Sequence, residues 1–121
     1  MSRRTTGILG EKLAAGILKE NGYEIIETNY RCTEGEVDIV ASHKQELVFV
    51  EVRSKKNIEY GSPEESITRR KKEKLRAVAA HYCQDREVTN PQYRIDVVAL
   101  ELNRQGNITR YAVIENAVGE D

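Results

Sequence analysis

The segment 37–52 carries the pattern that most constrains the fold of this chain. In it, two apolar runs rich in β-branched residues flank a short polar stretch, an arrangement typical of an antiparallel β-hairpin. The pattern is centred between Lys44 and Gln45. A turn at that centre predicts a register in which Asp38 lies directly opposite Glu51 on the neighbouring strand.

The predicted register collects charged side chains on one face of the hairpin. Because side chains alternate along a strand, that face carries Glu36, Asp38, Glu51 and Arg53. The other face is apolar throughout and comprises Val37, Ile39, Ala41, Val48, Val50 and Val52. Like charges directly opposed across two strands are destabilising. We therefore expect something to compensate Asp38 and Glu51, and a divalent metal ion is one candidate.

A solvated face with mixed charges is the simpler alternative, in which Glu36 and Arg53 form an ordinary cross-strand ion pair. Val40 and Phe49 argue against it, because they fall on the same face and indicate that this face is partly covered. A carboxylate at the rim of a covered face is costly unless it is paired or bound to a cation. This cost favours the metal interpretation.

Composition indicates one globular domain spanning residues 1–121, with a flexible tail at 116–121. The net charge is −1, so the chain lacks the strongly basic overall charge of many nucleic-acid binders. Its cations are instead concentrated at 69–76. Neither a membrane-length apolar run nor a signal-peptide segment is visible, and the two cysteines are far apart. We therefore expect a cytoplasmic protein with free thiols and no zinc site.

Periodicity and capping residues predict the order α-β-β-β-α-β-β, an α/β fold with a mixed sheet flanked by two helices. The first helix is predicted from about Gly7 to Asn21, with Thr5 or Thr6 as its cap. Its buried stripe is predicted to contain Leu9, Leu13, Ala14, Ile17 and Leu18.

The second helix is predicted to begin at Ser62-Pro63, a strong helix-start signature, and to end near Cys83. Its predicted buried residues are Ile67, Leu75, Val78, Ala79 and Tyr82. The predicted strands are 23–30, 36–42, 47–55, 93–102 and 108–115.

Asp38 and Glu51 are of the residue type that metal-assisted phosphodiester hydrolysis requires. That chemistry needs acidic oxygens converging on one or two Mg²⁺ ions. Because Mg²⁺ often takes only one or two carboxylates and keeps several waters, these two side chains suffice, and the Val52 carbonyl can add a third oxygen. Arg53 then lies near the scissile phosphate.

The runs Gly35–Ala41 and Phe49–Arg53 resemble the Asp…Glu-x-Lys motif of the restriction-endonuclease-like PD-(D/E)xK nucleases. The whole chain resembles the YraN family, small bacterial proteins similar to archaeal Holliday-junction resolvases. Further matching segments are Gly10-Glu11, Asn29–Arg31, Tyr60-Gly61, Lys71–Leu75 and Arg94–Ala99. The resemblance implies a restriction-endonuclease-like αβββαβ core. It also implies that Asp38 and Glu51 bind metal and that Glu11 is a third acid near the site.

Arg53 departs from the superfamily motif, which has a catalytic lysine at this position. An arginine stays charged in proteins, so it can orient a phosphate or stabilise transition-state charge but cannot serve as a general base. Lys55 lies on the same strand face and can partly replace the missing amine. This departure places the rate of catalysis in question.

The cations of the second helix are predicted to fall into two groups. Arg69, Lys72 and Arg76 form a face that can contact a nucleic-acid backbone, without sequence preference. Lys71 is spaced four residues from both Ile67 and Leu75, on the buried stripe. Its side chain is expected either to extend along apolar surface or to point at an acidic group or a bound phosphate.

Three further polar residues are interpreted as structural or surface residues. His43 and His81 lack a second ligand at metal spacing. Asp96 lies in an otherwise apolar strand, where it can pair with Arg94 or with a helix cation.

These observations predict a cytoplasmic endonuclease-like protein that acts on DNA with Mg²⁺ or Mn²⁺. Branched or junction DNA is the substrate class that the resemblance implies, and a homodimer suits such a two-fold substrate. Glu36 is expected to be a lesser acidic contributor. Two alternatives stay open: a DNA-binding protein that keeps the nuclease fold without efficient catalysis, and a protein-interaction module.

Overall fold

A computed structural model describes residues 3–55, 67–89 and 92–117, with side chains from residue 10 onward. The elements are α1 (Arg3–Glu20), β1 (Glu24–Cys32), β2 (Gly35–His43), β3 (Glu46–Lys55), α2 (Arg69–Asp85), β4 (Tyr93–Leu102) and β5 (Ile108–Ile114). One five-stranded sheet has the order β1-β2-β3-β4-β5. Neighbouring strands are antiparallel except β3 and β4, which are parallel. The predicted element order and mixed sheet are confirmed.

The hairpin of β2 and β3 has the predicted register. Its pairs run from Ile39↔Val50 to His43↔Glu46, and a two-residue turn joins the strands. Both turn residues have positive φ, 51° at Lys44 and 67° at Gln45. Positive φ at both central residues is the requirement of a type I′ turn, whose twist matches that of the flanking strands.

The sheet has a packed helix on each face, and β3 lies in the centre of both cores. On the α1 side, the core is aliphatic and includes Ala14, Ile17, Leu18, Ile39, Ala41, Val48, Val50, Val98 and Leu100. On the α2 side, aromatic residues contribute, and the core includes Tyr30, Val37, Val40, Phe49, Leu75, Val78, Ala79, Tyr82 and Ile95. Because β3 pairs on both edges and is covered on both faces, a charge on it is removed from most of the solvent.

Helix α1 differs from its predicted form at its start and on its stripe. It begins at Arg3, so Thr5 and Thr6 lie inside the helix and the predicted cap is wrong. Leu13 is 38% exposed rather than buried, because the face that packs on the sheet is centred on Ala14, Ile17 and Leu18. The Leu9 side chain lies outside the described residues.

Helix α2 begins later than predicted, at Arg69. Thr68 is its N-cap, in an extended conformation, and its hydroxyl accepts a hydrogen bond from the Lys71 N–H. Ile67 and Thr68 are therefore not helical, and Ile67 is only half-buried. The segment Ser62–Ser66, with its helix-start signature, lies outside the described residues. The other four residues of the predicted stripe are buried.

A buried ion pair on β4 connects three parts of the fold. Asp96 is fully buried and accepts two hydrogen bonds from the Arg94 guanidinium, at 2.8 and 2.9 Å. It also accepts from the Tyr23 hydroxyl at 2.6 Å and from the Asn116 N–H at 2.9 Å. Burial, together with the hydrogen bond to Asp96, raises the pKa of Tyr23 well above its usual range, so the phenol stays a donor. The structural role considered for Asp96 is confirmed.

His43 belongs to the same network. Its ring stacks on that of Tyr23 at 3.9 Å, and its Nδ1 lies 2.7 Å from the Arg94 guanidinium. Because an arginine only donates hydrogen bonds, Nδ1 accepts and the ring hydrogen is on Nε2. At the C-terminal end, Asn116 and Ala117, which the prediction assigned to a flexible tail, are hydrogen-bonded to β4. Residues 118–121 lie outside the described part.

The described helices include none that is long and apolar enough to cross a membrane.

Removing the charge of Asp96 should destabilise the fold strongly. Asp96→Asn removes the buried counter-charge of the Arg94 guanidinium and leaves it the exposed Glu46 carboxylate, 2.9 Å away. Breaking a buried pair in this way costs about 3–5 kcal/mol. The free energy of unfolding in urea measures the loss. Glu73→Gln, which removes an exposed ion pair with Arg69 on α2, is the control and should cost less than about 1 kcal/mol. Equal effects of the two substitutions would contradict this role for Asp96.

Candidate functional site

The pairing of β2 with β3 ends where the candidate site begins. The last pair is Ile39↔Val50, and continuing it would make the Val37 carbonyl the acceptor for the Val52 N–H. The Asp38 carboxylate takes that place instead, with its Oδ2 2.7 Å from the Val52 nitrogen. A side chain thus replaces the main chain as acceptor, and the two strands separate at this point.

Separation of the strands changes the side chains that flank Asp38. Val37 was expected on the same face as Ile39, but it packs in the α2-side core whereas Ile39 packs in the α1-side core. The expected opposition of Glu36 and Arg53 is also wrong. Glu36 instead pairs with Arg31 at 3.1 Å, because the β2–β3 register does not extend that far.

The direction of the Val52 carbonyl follows from that of its N–H. In a strand, the N–H and C=O of one residue point to the same neighbouring strand. Because the Val52 N–H points to Asp38, its carbonyl is directed toward β2 as well, at the position where the strands have parted. A carbonyl oxygen and the Asp38 carboxylate are thereby brought to one opening.

Glu51 is the buried member of the carboxylate pair. It lies on β3 one residue beyond the last β2–β3 pair and is only 6% exposed. Two cations approach its Oε1: the Lys71 Nζ at 3.7 Å and the Arg53 guanidinium at 3.9 Å. The expectation that Lys71 points at an acidic group is confirmed.

The protonation of both carboxylates is strongly perturbed. Burial raises the pKa of Asp38 to about 6, an effect that the Val52 hydrogen bond opposes and the negative charge of Glu11 increases. Burial also raises the pKa of Glu51 to about 7, increased by the charge of Asp38 and opposed by those of Lys71 and Arg53. The pair is therefore close to its titration range at neutral pH, which is common at functional sites.

Glu11 is half-buried on α1 and is close enough for its charge to raise the pKa of Asp38. Its position agrees with the implied third acid near the site. The charge of Glu36 has the same, smaller effect on Asp38. Three elements, α1, β2 and β3, thus direct acidic residues toward one region.

Lys55 is the last residue of β3 and pairs in register with Glu101 on β4. It lies four positions beyond Glu51, a rise of about 13 Å along a strand, and its catalytic role stays a prediction. The ammonium beside Glu51 belongs to Lys71, for which an acidic partner or a bound phosphate was one of the expected contacts. Its position on the buried stripe was the signal for this role.

The remaining cations of α2 lie on its outer surface. Arg69 is exposed and pairs with Glu73 at 3.7 Å, whereas Lys72 and Arg76 are half-buried. Their spacing along the helix places them on one side. Their contact with a nucleic acid stays a prediction.

The oxygen donors at the site fit a hard cation that takes few ligands from the protein. In the described part of the chain, no group of three or more His, Cys, Asp or Glu residues has an arrangement that could hold a metal ion. Two carboxylates, Asp38 and Glu51, with the Val52 carbonyl match the requirement of Mg²⁺, which completes its shell with water. They do not match the three or four protein ligands of a zinc site.

Comparison with known proteins identifies the family. The model of "Uncharacterised protein family UPF0102" matches residues 10–100. This chain belongs to the UPF0102 family. It is 44% identical to the UPF0102 protein of Moorella thermoacetica over 117 residues, covering 97% of this chain and 98% of the relative. It is 47% identical to that of Dehalococcoides mccartyi over 120 residues, covering 99% and 98%. UPF0102 is the YraN family, so the predicted family membership is confirmed.

Among solved structures, the UPF0102 chain is similar to Pyrococcus furiosus SfsA, determined in complex with Ca²⁺. The sequence identity is 19% and the TM-score is 0.43. The match covers 93% of this chain, which spans 63% of the SfsA chain.

The carboxylate pair should make the stability of this UPF0102 protein fall as pH rises. Since the pKa values of Asp38 and Glu51 are raised on folding, the folded state binds more protons than the unfolded state from about pH 4 to pH 7. The stabilising contribution of the two carboxyl groups is therefore complete below about pH 4 and is lost as pH passes the folded pKa values. In EDTA, the loss between pH 5 and pH 8 should be on the order of 4 kcal/mol.

Urea unfolding at pH 5 and pH 8 measures this loss. The variant Asp38→Asn/Glu51→Gln keeps the shapes of both side chains and should have a clearly flatter pH dependence than the wild type. Glu73→Gln serves as the control and should leave the dependence unchanged. A double variant with the wild-type slope would show that other groups cause it.

Proposed function

We propose that this UPF0102 protein hydrolyses phosphodiester bonds of DNA with Mg²⁺ or Mn²⁺ in the cytoplasm. The observation that carries the proposal is the pair of Asp38 and Glu51, held together where β2 and β3 separate, with pKa values of about 6 and about 7. A fold that only needed charges on this face would leave them solvated or fully paired. Branched DNA as the substrate class rests on the resemblance to junction resolvases.

The charge balance at the pair favours a cation. Asp38, Glu51 and nearby Glu11 are acidic, and the two cations beside Glu51 stand at 3.7 and 3.9 Å, outside hydrogen-bond distance. Burial raises both pKa values in spite of these cations. A bound Mg²⁺ or Mn²⁺ would supply Lewis acidity and a water of lowered pKa. Asp38, Glu51 and the Val52 carbonyl are the groups that would hold it.

The other side chains would bind and orient the substrate. Arg53 is half-buried and next to Glu51, where its planar guanidinium can hold a phosphate oxygen. The same group can stabilise the negative charge that develops in the transition state. The Arg69, Lys72 and Arg76 side of α2 would contact the strand backbone at a distance from the carboxylates. A homodimer would match the two-fold symmetry of a DNA junction.

Cleavage should depend on the carboxylate pair and on a divalent cation. Asp38→Asn and Glu51→Gln keep hydrogen-bonding shape but remove the charge that holds the cation, so each should reduce the rate at least about 100-fold. Arg53→Ala should reduce it about 10²–10³-fold, as loss of one transition-state donor does. Gel analysis of linear duplex and four-way-junction DNA, with Mg²⁺, Mn²⁺ or EDTA, measures these rates.

The matched control is Glu73→Gln, which removes one carboxylate from the exposed surface of α2. It should cleave at the wild-type rate. Equal cleavage by the wild type, Asp38→Asn and Glu51→Gln would contradict the catalytic proposal, because the activity would then come from a contaminant.

A DNA-binding protein without efficient catalysis is the second candidate. The observation that favours it is Arg53, which occupies the superfamily lysine position and cannot act as a base. For this candidate, affinity for DNA should fall steeply with salt. The triple variant Arg69→Gln/Lys72→Gln/Arg76→Gln should reduce the slope of log affinity against log salt by about 2–3, whereas Asp38→Asn should leave the affinity unchanged.

Fluorescence anisotropy with a labelled duplex measures the slope of log affinity against log salt. The salt concentration is varied from about 50 to about 300 mM, roughly the range in which such contacts are resolved. Binding with this pattern but without cleavage would select the second candidate. An affinity that is independent of salt in the wild type would exclude backbone contact by α2 and would favour a protein-interaction module.

A further inference from the structure

A cavity of about 380 Å³ lies between the β1–β2 turn and α2, next to the carboxylate pair. The turn approaches α2 closely at Gly35, where φ is +142° and an added Cβ would lie 3.4 Å from a Val78 methyl group. A side chain there would be strained by the backbone conformation, although an added Cβ would be at van der Waals distance from α2. The glycine thus allows the turn that forms one side of the cavity.

The lining of this cavity is basic. Its cations are Arg31, Lys71 and Lys74, and its one carboxylate is Glu36, which pairs with Arg31. Lys71 also contacts Glu51, with its Nζ 3.7 Å from the Glu51 Oε1. Lys74 is exposed and has no ion-pair partner among the residues that the structure describes. An excess of positive charge therefore faces the cavity and is available to an anion.

Lys71 joins this basic cavity to the carboxylate pair, since it lines the one and contacts the other. DNA brings phosphates in sequence along a strand, and a phosphate near Asp38 and Glu51 is repelled by their charges. Cations one step farther along the strand would offset that repulsion. Lysines serve well in this role, as point charges for phosphate.

We propose that the basic cavity binds a phosphate group of a nucleic-acid strand, adjacent to the phosphodiester at the carboxylate pair. This subsite rests on the proposed function, because it presumes that a strand reaches the pair. Lys74 and Lys71 contact the phosphate. The volume of the cavity lies within the roughly 300–1,000 Å³ range of small-ligand sites.

The chain contains its own reporters for the test. Cys32 is a half-buried free thiol that lines the basic cavity. Cys83 is a buried free thiol that lines a separate cavity of about 330 Å³ with Val88 and Tyr93. Alkylation of both by iodoacetamide, followed by mass spectrometry, compares the two cavities within one sample.

The rates are measured in EDTA with and without a hexathymidine oligonucleotide. At ten times its dissociation constant, the oligonucleotide should slow alkylation of Cys32 about tenfold and leave Cys83 unchanged. Lys74→Gln should weaken the oligonucleotide several-fold and lower the salt slope by about 1. The control Lys19→Gln removes an exposed lysine from α1 and should retain the wild-type protection.

Two further ligands identify what is recognised. Protection of Cys32 by inorganic phosphate as well as by the oligonucleotide would support a subsite for an isolated phosphate, and protection by the oligonucleotide alone would support one for a strand. Equal protection by polyglutamate would overturn the proposal, because phosphate would not be the recognised group. Unchanged Cys32 rates, equal slowing at both cysteines, or full protection of Lys74→Gln would also overturn it.

Failure of this proposal is separable from failure of the proposed function. Because EDTA excludes metal-dependent cleavage, protection of Cys32 without any cleavage in Mg²⁺ or Mn²⁺ would retain the subsite and reject catalysis. Cleavage without protection would reject only the subsite.

Discussion

The position of β3 in the middle of the sheet is the constraint on which the rest of the structure depends. It pairs antiparallel with β2 and parallel with β4, and it is covered by α1 on one face and by α2 on the other. A parallel neighbour requires a long crossover connection, and that crossover is what brings α2 across the sheet. Glu51 on β3 is therefore buried, and Lys71 on α2 is brought to it.

Asp96 and the pair of Asp38 and Glu51 lie in the same sheet and are compensated in different ways. Asp96 accepts four hydrogen bonds, two of them from the Arg94 guanidinium, and this centre ties β4 to the start of β1 and to the segment after β5. Among the described residues, the pair of Asp38 and Glu51 has a short hydrogen bond from the Val52 N–H and cations at longer distances. Their pKa values are raised accordingly. The hydrogen-bonded charge of Asp96 stabilises the fold, whereas the carboxylate pair is the proposed cation site.

Sequence reasoning succeeded where one local rule determined the outcome. The alternation of side chains and the position of the polar break were enough for the hairpin register, because a shift by one residue would have turned every apolar side chain outward. It failed at the start of α2 and at the end of the hairpin. Thr68 is the N-cap of α2, which begins at Arg69, and no cap at Thr68 was predicted. Val37 was predicted on the wrong face of the sheet. The Asp38 carboxylate, rather than a main-chain carbonyl, accepts the hydrogen bond of the Val52 N–H, so the regular pairing ends before Val37.

The sequence by itself determined the element order, the register of the hairpin and the presence of Asp38 and Glu51 on neighbouring strands, because these depend on periodicity and turn position. Only the tertiary structure decided which cation serves the pair. Lys55 shares the strand of Glu51 but lies about 13 Å along it, whereas Lys71 is twenty residues away in sequence and 3.7 Å away in space. The physical reason is that a helix packed across a sheet delivers its side chains to strands that are remote in the chain, and this packing is a property of the whole core.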